Sequence, residues 1–170
     1  LRSIFNQDYK NIEVIIVDNE SNDSTVAKAQ NFPVQFVKIQ DFIPGKAIND
    51  GIRASSGEFI VCLSGHCIPT NNKWLGTLVN TIQKNENYAG VYGRQEPMAF
   101  SSNSDKRDLL LTFGLDSRVQ IKDSFFHNAN SAFRKETWKK FPFDETVLIA
   151  AVLGEFIFKS DCYCAFGWLE

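Results

Sequence analysis

Two polar loops in the first half of the chain hold the side chains best suited to bind a ligand. Residues 18–23 (Asp-Asn-Glu-Ser-Asn-Asp) follow the apolar, β-branched run 12–17, and residues 64–67 (Ser-Gly-His-Cys) follow the apolar run 59–63. Both runs are typical of buried strands. In parallel α/β sheets, ligands bind outside the carboxyl ends of the strands. The two loops are therefore predicted to form a binding site at one edge of a sheet.

Three side chains in the first half of the chain have both a ligand-binding and a structural interpretation. Asp18 can accept hydrogen bonds from a bound group, or it can stabilise the turn that follows a strand. Lys46 stands at the start of a predicted helix, so it can reach a phosphate or remain a solvated lysine. Asn49 needs a hydrogen-bond partner within that helix, and a ligand contact and a core hydrogen bond both meet the need.

The elements around these loops alternate between strand and helix. Apolar runs predict strands at residues 12–17, 34–39, 59–63 and 89–93, and helical spacing predicts helices at residues 25–31, 46–56, 71–84, 105–113 and 135–140. Residues 125–134 are mixed with a strand-like second half, and Gly57 is expected to cap the second helix. Strand and helix in this succession predict a βαβαβ unit with a largely parallel sheet.

Composition excludes several classes of function. The chain has 170 residues, 44% hydrophobic and 22% charged, which predicts one globular domain. Its formal net charge of −2 gives no basic face for nucleic acid. The longest apolar run, residues 147–153, is far shorter than the roughly 20 residues that span a bilayer, so no membrane span is expected. The four cysteines form no CxxC pair, which argues against structural zinc and favours a reduced, cytoplasmic protein.

Several segments, taken together and in order, resemble family 2 glycosyltransferases. The first begins with Ser-Ile-Phe-Asn-Gln-Asp-Tyr and leads through a strand to an Asp and a polar loop, as in that family. The matching segments are residues 3–25, 45–52, 54–60, 68–69, 74–75, 128–136 and 142–145. The order of these segments is more specific to the family than any one of them.

The resemblance implies a GT-A fold: a Rossmann-like α/β/α arrangement of three layers with a mostly parallel central sheet, forming a single domain over residues 1–170. It implies a nucleotide-sugar-binding half at residues 1–100, an acceptor-side half at residues 101–146 and an unmatched tail at residues 147–170. The implied reaction transfers a sugar, with inversion, from a nucleotide-diphosphate sugar donor to a hydroxyl of a saccharide or lipid-linked acceptor. Cell-surface polysaccharide assembly, in the cytoplasm at the inner face of the membrane, is the family-level expectation.

The same resemblance assigns site residues on two sides. The residue expected to contact the donor base is Asp18, and the other expected donor-binding residues are Asn19, Glu20, Lys46, Asn49, Ser64 and Gly65. The expected acceptor-side residues are Arg94, His127, Asn128 and Asn130. A surface ion pair is the alternative for Arg94, and a structural hydrogen bond is the alternative for His127.

The metal motif departs from the family pattern. In the family, the loop after the third strand carries Asp-x-Asp, where a divalent cation neutralises the donor diphosphate. Here residues 64–67 contain no carboxylate, and His66 matches the terminal Asp. Mn²⁺ or Mg²⁺ is the expected cofactor, and an imidazole ligand favours Mn²⁺. A structural histidine is the alternative.

Two further departures concern the ends of the sequence. The family's first strand would precede Leu1, so the domain is expected to be incomplete at its N-terminus. The family's Glu-Asp pair, which supplies the general base, has no match after Glu145, and Glu155 is a weak candidate. An active glycosyltransferase is the leading prediction, and a non-catalytic nucleotide-sugar-binding remnant is the alternative. A flavodoxin-like domain explains the βαβαβ unit but not the ordered motifs.

Overall fold

A computed structural model describes residues 1–121 and 125–147, and the backbone of residues 163–167. The helices of these regions are α1 (Arg2–Phe5), α2 (Thr25–Ala29), α3 (Pro44–Ala54), α4 (Trp74–Gln83), α5 (Asn103–Phe113) and α6 (Lys135–Lys140). The strands are β1 (Ile15–Asp18), β2 (Gln35–Lys38), β3 (Phe59–Leu63), β4 (Tyr88–Gly93), β5 (Arg118–Gln120), β6 (Asn130–Arg134) and β7 (Tyr163–Gly167). Each strand and helix predicted from the sequence has a counterpart here.

The connection between α3 and β3 differs from its prediction. Gly57 does not cap α3, because the helix ends at Ala54 and its C-cap is Ser55 in an extended conformation. The backbone N–H of Gly57 instead donates to the carboxylate of Glu13 at 2.7 Å, and that of Ser56 donates to the same oxygen at 2.6 Å. The side chain of Glu13, just before β1, therefore accepts the backbone hydrogen bonds of this loop. The helix end does not need the left-handed conformation that a glycine cap supplies.

The strands form two sheets. β1 and β2 pair in parallel. The second sheet has the order β3-β6-β4-β7-β5. In the described part of the chain its parallel pair is β4 with β7, while β3 with β6, β4 with β6, and β5 with β7 are antiparallel. The sheet is thus partly parallel and partly antiparallel rather than mostly parallel, because β6 enters between β3 and β4 in the opposite direction.

The antiparallel register brings two loops together at one edge of the second sheet. Leu63, the last residue of β3, lies opposite Asn130, the first residue of β6. One residue beyond this pair, the backbone N–H of Ser64 donates to the carbonyl oxygen of Ala129 at 3.0 Å. The loop after β3 is therefore fixed beside the loop before β6.

Helices bury the apolar faces of both sheets. The predicted apolar face of α4 packs against β4 and β6, and the buried residues of this cluster are Trp74, Leu75, Leu78, Val79, Ile82, Val91 and Ala132. Helix α3 contacts β1 and β2, and its Ile52 packs with Ile60 of β3 in a second cluster. Fully burying such side chains contributes roughly 1.5–3 kcal/mol each. Among the described residues, no helix is long and apolar enough to cross a bilayer.

Candidate functional site

The loop after β1 is held by its own hydrogen bonds. Asp18 is 5% exposed, and its two carboxylate oxygens accept from the backbone N–H of Ser21 at 3.2 Å and from its hydroxyl at 2.5 Å. The side-chain nitrogen of Asn19 faces two backbone carbonyl oxygens just after β2, at 3.1 and 2.9 Å. Exposed Glu20 adopts a left-handed φ of 52°. Because each carboxylate oxygen has a second lone pair, Asp18 can stabilise this turn and still accept from a ligand.

The two predicted donor-binding residues of α3 are engaged within the protein. Nζ of Lys46 lies 2.5 Å from the carboxylate of Asp50, one turn along the helix. Asn49 is 1% exposed, and its carboxamide makes four hydrogen bonds, with the backbone N–H and carbonyl of Phe143, Glu145 Oε1 and Trp138 Nε1. The core alternative therefore accounts for the hydrogen bonds of the Asn49 side chain.

The loop after β3 exposes Gly65 and His66. The hydroxyl of Ser64 lies 3.0 Å from Nδ1 of His66. The backbone carbonyl of Ser64 accepts from the backbone N–H of Cys67 at 2.9 Å. Burial raises the pKa of the Cys62 thiol to about 12, and it also raises the pKa of Cys67. Both cysteines are therefore neutral thiols, whereas metal coordination needs a thiolate.

The donor set of this loop does not fit a metal held by the protein alone. His66 is the one strong ligand of the loop, and among the described side chains no group of three or more His, Cys, Asp or Glu is arranged to hold a metal ion. A single imidazole binds a hard divalent cation weakly. Any such cation would have to be coordinated chiefly by a bound diphosphate.

A cavity of about 490 Å³ opens at the edge where β3 ends and β6 begins. Its lining comes from the loop after β3 (His66), the loop before β6 (His127) and one face of α5 (Asp105, Asp108, Leu109, Thr112 and Phe113). It unites two predicted site residues, one from each predicted half of the domain. The structure brings His66 and His127 to one cavity and adds a helix face that was not among the predicted site residues.

The imidazole of His127 is held in a defined orientation. Its Nδ1 lies 3.1 Å from the side-chain nitrogen of Gln95 and accepts from the backbone N–H of Ala129 at 3.4 Å. Its ring meets that of Phe113 edge to face, with centroids 5.2 Å apart. Burial, and secondly the nearby His66, lowers the pKa of His127. The ring is therefore neutral at pH 7.

Two carboxylates of α5 face the cavity, each with one oxygen already engaged. One oxygen of Asp105 accepts from the backbone N–H and hydroxyl of Ser102 in a capping box, at 3.2 and 2.7 Å. One oxygen of Asp108 accepts from Arg107 at 2.9 Å. The other oxygen of each has no hydrogen-bond partner among the described residues. In the sequence, the spacing of Asp105, Asp108 and Thr112 places these residues on one face of a helix. That spacing does not indicate which part of the protein lies against this face.

The remaining acceptor-side candidates lie beside the cavity. Asn130 is 7% exposed, accepts from the indole N–H of Trp74 at 2.8 Å and donates to the carbonyl of Arg94 at 3.3 Å. The guanidinium of Arg94 lies 3.6 Å from the carboxylate of Glu96, as the ion-pair alternative expects. Asn128 is half-buried in the turn before β6. Glu155 lies outside the described residues.

An α/β fold with polar loops at the carboxyl ends of its strands is typical of nucleotide-binding domains, and the GT-A sugar-nucleotide transferases are one class of them. The profile of Glycosyl transferase family 2 matches residues 1–141. The chain belongs to this family of glycosyltransferases and has the GT-A fold.

Two kinds of relative support this assignment. The GalNAc(5)-diNAcBac-PP-undecaprenol beta-1,3-glucosyltransferase of Campylobacter jejuni is 34% identical over 101 residues, which cover 55% of this chain and 31% of the relative. The crystal structure of S. aureus TarS matches with a TM-score of 0.66 and 17% identity, over 99% of this chain and 52% of that one. Glucosyl-3-phosphoglycerate synthase from Mycobacterium tuberculosis, in complex with Mn²⁺, uridine-diphosphate and phosphoglyceric acid, matches with a TM-score of 0.62 and 18% identity, over 92% of this chain and 57% of that one. The two structures show the fold alone, and the chain spans about a third of the length of the curated relative.

Proposed function

We propose that this chain binds the donor and part of the acceptor in an inverting glycosyltransferase. The observation that best supports this is the cavity at the end of β3, in a chain that belongs to a glycosyltransferase family. The cavity takes His66 from residues 1–100, the proposed donor half, and takes His127 and α5 from residues 101–146, the proposed acceptor half. Donor and acceptor meet where these halves meet.

The substrates we propose extend what the relatives' names state. The Campylobacter relative is a glucosyltransferase named for a saccharide on undecaprenol diphosphate, and the Mycobacterium synthase was solved with uridine-diphosphate. For this chain we propose a uridine-diphosphate sugar as donor and a saccharide hydroxyl, free or lipid-linked, as acceptor. Polysaccharide assembly in the cytoplasm, at the inner face of the membrane, is the proposed setting.

The reaction forms a bond from the acceptor hydroxyl oxygen to the anomeric carbon as the bond from that carbon to the diphosphate breaks. The electron pair leaves with the diphosphate, and a base takes the hydroxyl proton. Asp105 and Asp108 are the carboxylates among the described residues that line the cavity, and one of them would act as this base. The Asp18 loop would hold the nucleotide base.

A non-catalytic nucleotide-sugar-binding remnant is the second candidate, favoured by the absence of a carboxylate from residues 64–67. Calorimetric titration with UDP, GDP and dTDP tests nucleotide binding, and release of UDP from UDP-glucose in the presence of N-acetylgalactosamine tests transfer. Binding with saccharide-dependent release is the result we expect. Binding without release would favour the remnant, and no binding of any of the three nucleotides would exclude both functions.

A further inference from the structure

The cavity between α5 and the two histidines has a chemistry that selects one class of sugar. We propose that it is a subsite for an uncharged sugar ring, and that His127 positions this ring by donating the Nε2–H proton to one of its oxygens. The inference rests on the proposed function, because it takes the bound molecule to be a saccharide. It adds which saccharides are accepted and which residues select them.

The tautomer of His127 follows from its two neighbours. A backbone N–H can only donate, so Nδ1 accepts from Ala129. The side-chain nitrogen of Gln95 adds a second donor to the same atom. A neutral imidazole that accepts at Nδ1 carries its proton at Nε2. Nε2 has no hydrogen-bond partner among the described residues, so its N–H remains for a ligand in the cavity that the ring lines.

The α5 wall of the cavity offers acceptors, and the described lining contains no Lys or Arg. The second oxygens of Asp105 and Asp108 are carboxylate acceptors beside the cavity. Sugar hydroxyls donate to such oxygens, whereas a phosphate or carboxylate group is repelled by them. Arg107 contacts the first oxygen of Asp108 and reduces this repulsion without adding a donor to the cavity lining.

The size and apolar part of the cavity fit a ring rather than an ion. A volume of about 490 Å³ lies within the range of small-molecule sites, roughly 300–1,000 Å³. Leu109 and Phe113 contribute apolar surface on the same helix face as the carboxylates. A pyranose presents both kinds of surface, with hydroxyls at its rim and C–H groups on its faces.

The first experiment reads the tautomer by ¹⁵N NMR of the histidine side chains in the 170-residue chain. We expect a pyridine-type Nδ1 and a pyrrole-type Nε2 for His127, and a shift of the Nε2–H resonance when N-acetylgalactosamine is added. Gln95→Glu replaces a donor to Nδ1 by an acceptor, so it should move the proton to Nδ1 and weaken sugar binding about 3- to 10-fold, the loss of roughly one hydrogen bond. A proton on Nδ1 in the parent chain would overturn the proposal.

The second experiment compares N-acetylgalactosamine with its 6-phosphate. The parent should bind the uncharged sugar at least about 10-fold more tightly, and Asp108→Asn should improve binding of the phosphate about 3- to 10-fold by removing one repulsive charge. Glu86→Gln, at an exposed site on a turn, is the matched control and should change neither. Equal binding of the two sugars, or an equal response of both variants, would refute the charge selection.

These outcomes are separable from those of the proposed function. If UDP binds and the uncharged sugar does not shift His127, the subsite fails and the glycosyltransferase proposal stands. If the sugar binds as expected and no nucleoside diphosphate does, the transfer function fails. His127→Phe keeps an aromatic ring beside Phe113 and removes the donor, so a folded His127→Phe chain that still binds the sugar at the parent's affinity would count against the positioning role.

Discussion

Asp18 is a buried carboxylate whose turn contacts and predicted ligand contact can be separated by mutation. Asp18→Ala should weaken UDP binding by about 1–3 kcal/mol, because donor groups of the base or ribose lose a buried acceptor. Ser21→Ala removes the turn contacts made by the hydroxyl but keeps the carboxylate, so it should bind UDP as the parent does. Calorimetric titration measures both. Equal losses in the two variants, or none in Asp18→Ala, would assign Asp18 to the turn alone.

His66 is the side chain on which a metal effect would depend. Mn²⁺ should bind weakly without nucleotide, since no set of three ligands is arranged among the described residues, and more tightly with UDP present. His66→Ala should abolish the preference for Mn²⁺ over Mg²⁺ and leave metal-free UDP binding unchanged. Ser64→Ala removes the hydroxyl beside Nδ1 and should retain the preference. If Mn²⁺ enhances UDP binding equally in the parent and in His66→Ala, His66 is a structural histidine.

Helix α3 is anchored to the segment after α6 through Asn49, and this anchor predicts a large effect on stability. Asn49→Leu would leave the indole N–H of Trp138 and the backbone N–H of Phe143 without their acceptor. Two such losses should lower the free energy of unfolding by about 2–4 kcal/mol, which urea denaturation can measure. Asn87→Leu at an exposed turn is the control. A loss no larger than that of the control would show that the anchor contributes little.

The same anchor predicts a pH dependence. Hydrogen bonds from Asn49, and then from Arg53, lower the pKa of Glu145, although burial and then nearby Asp50 oppose this. The folded state therefore favours the charged carboxylate. This contribution is present above the ordinary pKa of 4.5 and is lost as pH falls through the lowered value. Since the Glu145 side chain is 38% exposed, solvent weakens the effect.

Glu145→Gln should accordingly lower the free energy of unfolding at pH 7, and its difference from the parent should vanish in acid. Urea unfolding at pH 7 and at pH values below 4.5 measures this difference. Glu86→Gln, on the exposed turn before β4, should track the parent at every pH. A constant difference across this range would show that the lowered pKa of Glu145 does not stabilise the fold.

Elements defined by local pattern were predictable, while their partners were not. The apolar spacing in α4 and the run in β3 identified those elements because burial of one face leaves a periodic signal in the sequence. The direction of β6 left no such signal. Its position between β3 and β4 depends on contacts between residues far apart in the chain, so the sheet was expected to be more parallel than it is.

The candidate site also contains residues that local sequence pattern predicts and residues that it does not. The place of His66 beside the cavity could be expected because it follows the carboxyl end of β3, whereas the strand-end rule did not point to His127, which precedes β6. The α5 wall of the cavity could not, because the spacing of Asp105 and Asp108 fixes a shared face but not its neighbour. The internal partners of Asn49 and Asn130 could not be predicted either, because the residues that they contact lie far away in the sequence.

At the scale of the molecule, the outer edge of β1 is an apolar strand edge that predicts self-association. β1 pairs with β2 along one edge, and the described residues provide no strand for its other edge. An unpaired edge with Ile15, Ile16 and Val17 is a template for pairing with a second copy.

The 170-residue chain should therefore show a weight-average mass that rises with concentration in sedimentation experiments. Ile16→Lys should reduce this rise because a charged edge disfavours pairing, and Lys28→Arg, at an exposed site on α2, should not. A parent chain that stays monomeric at all concentrations would show that the β1 edge does not pair between copies.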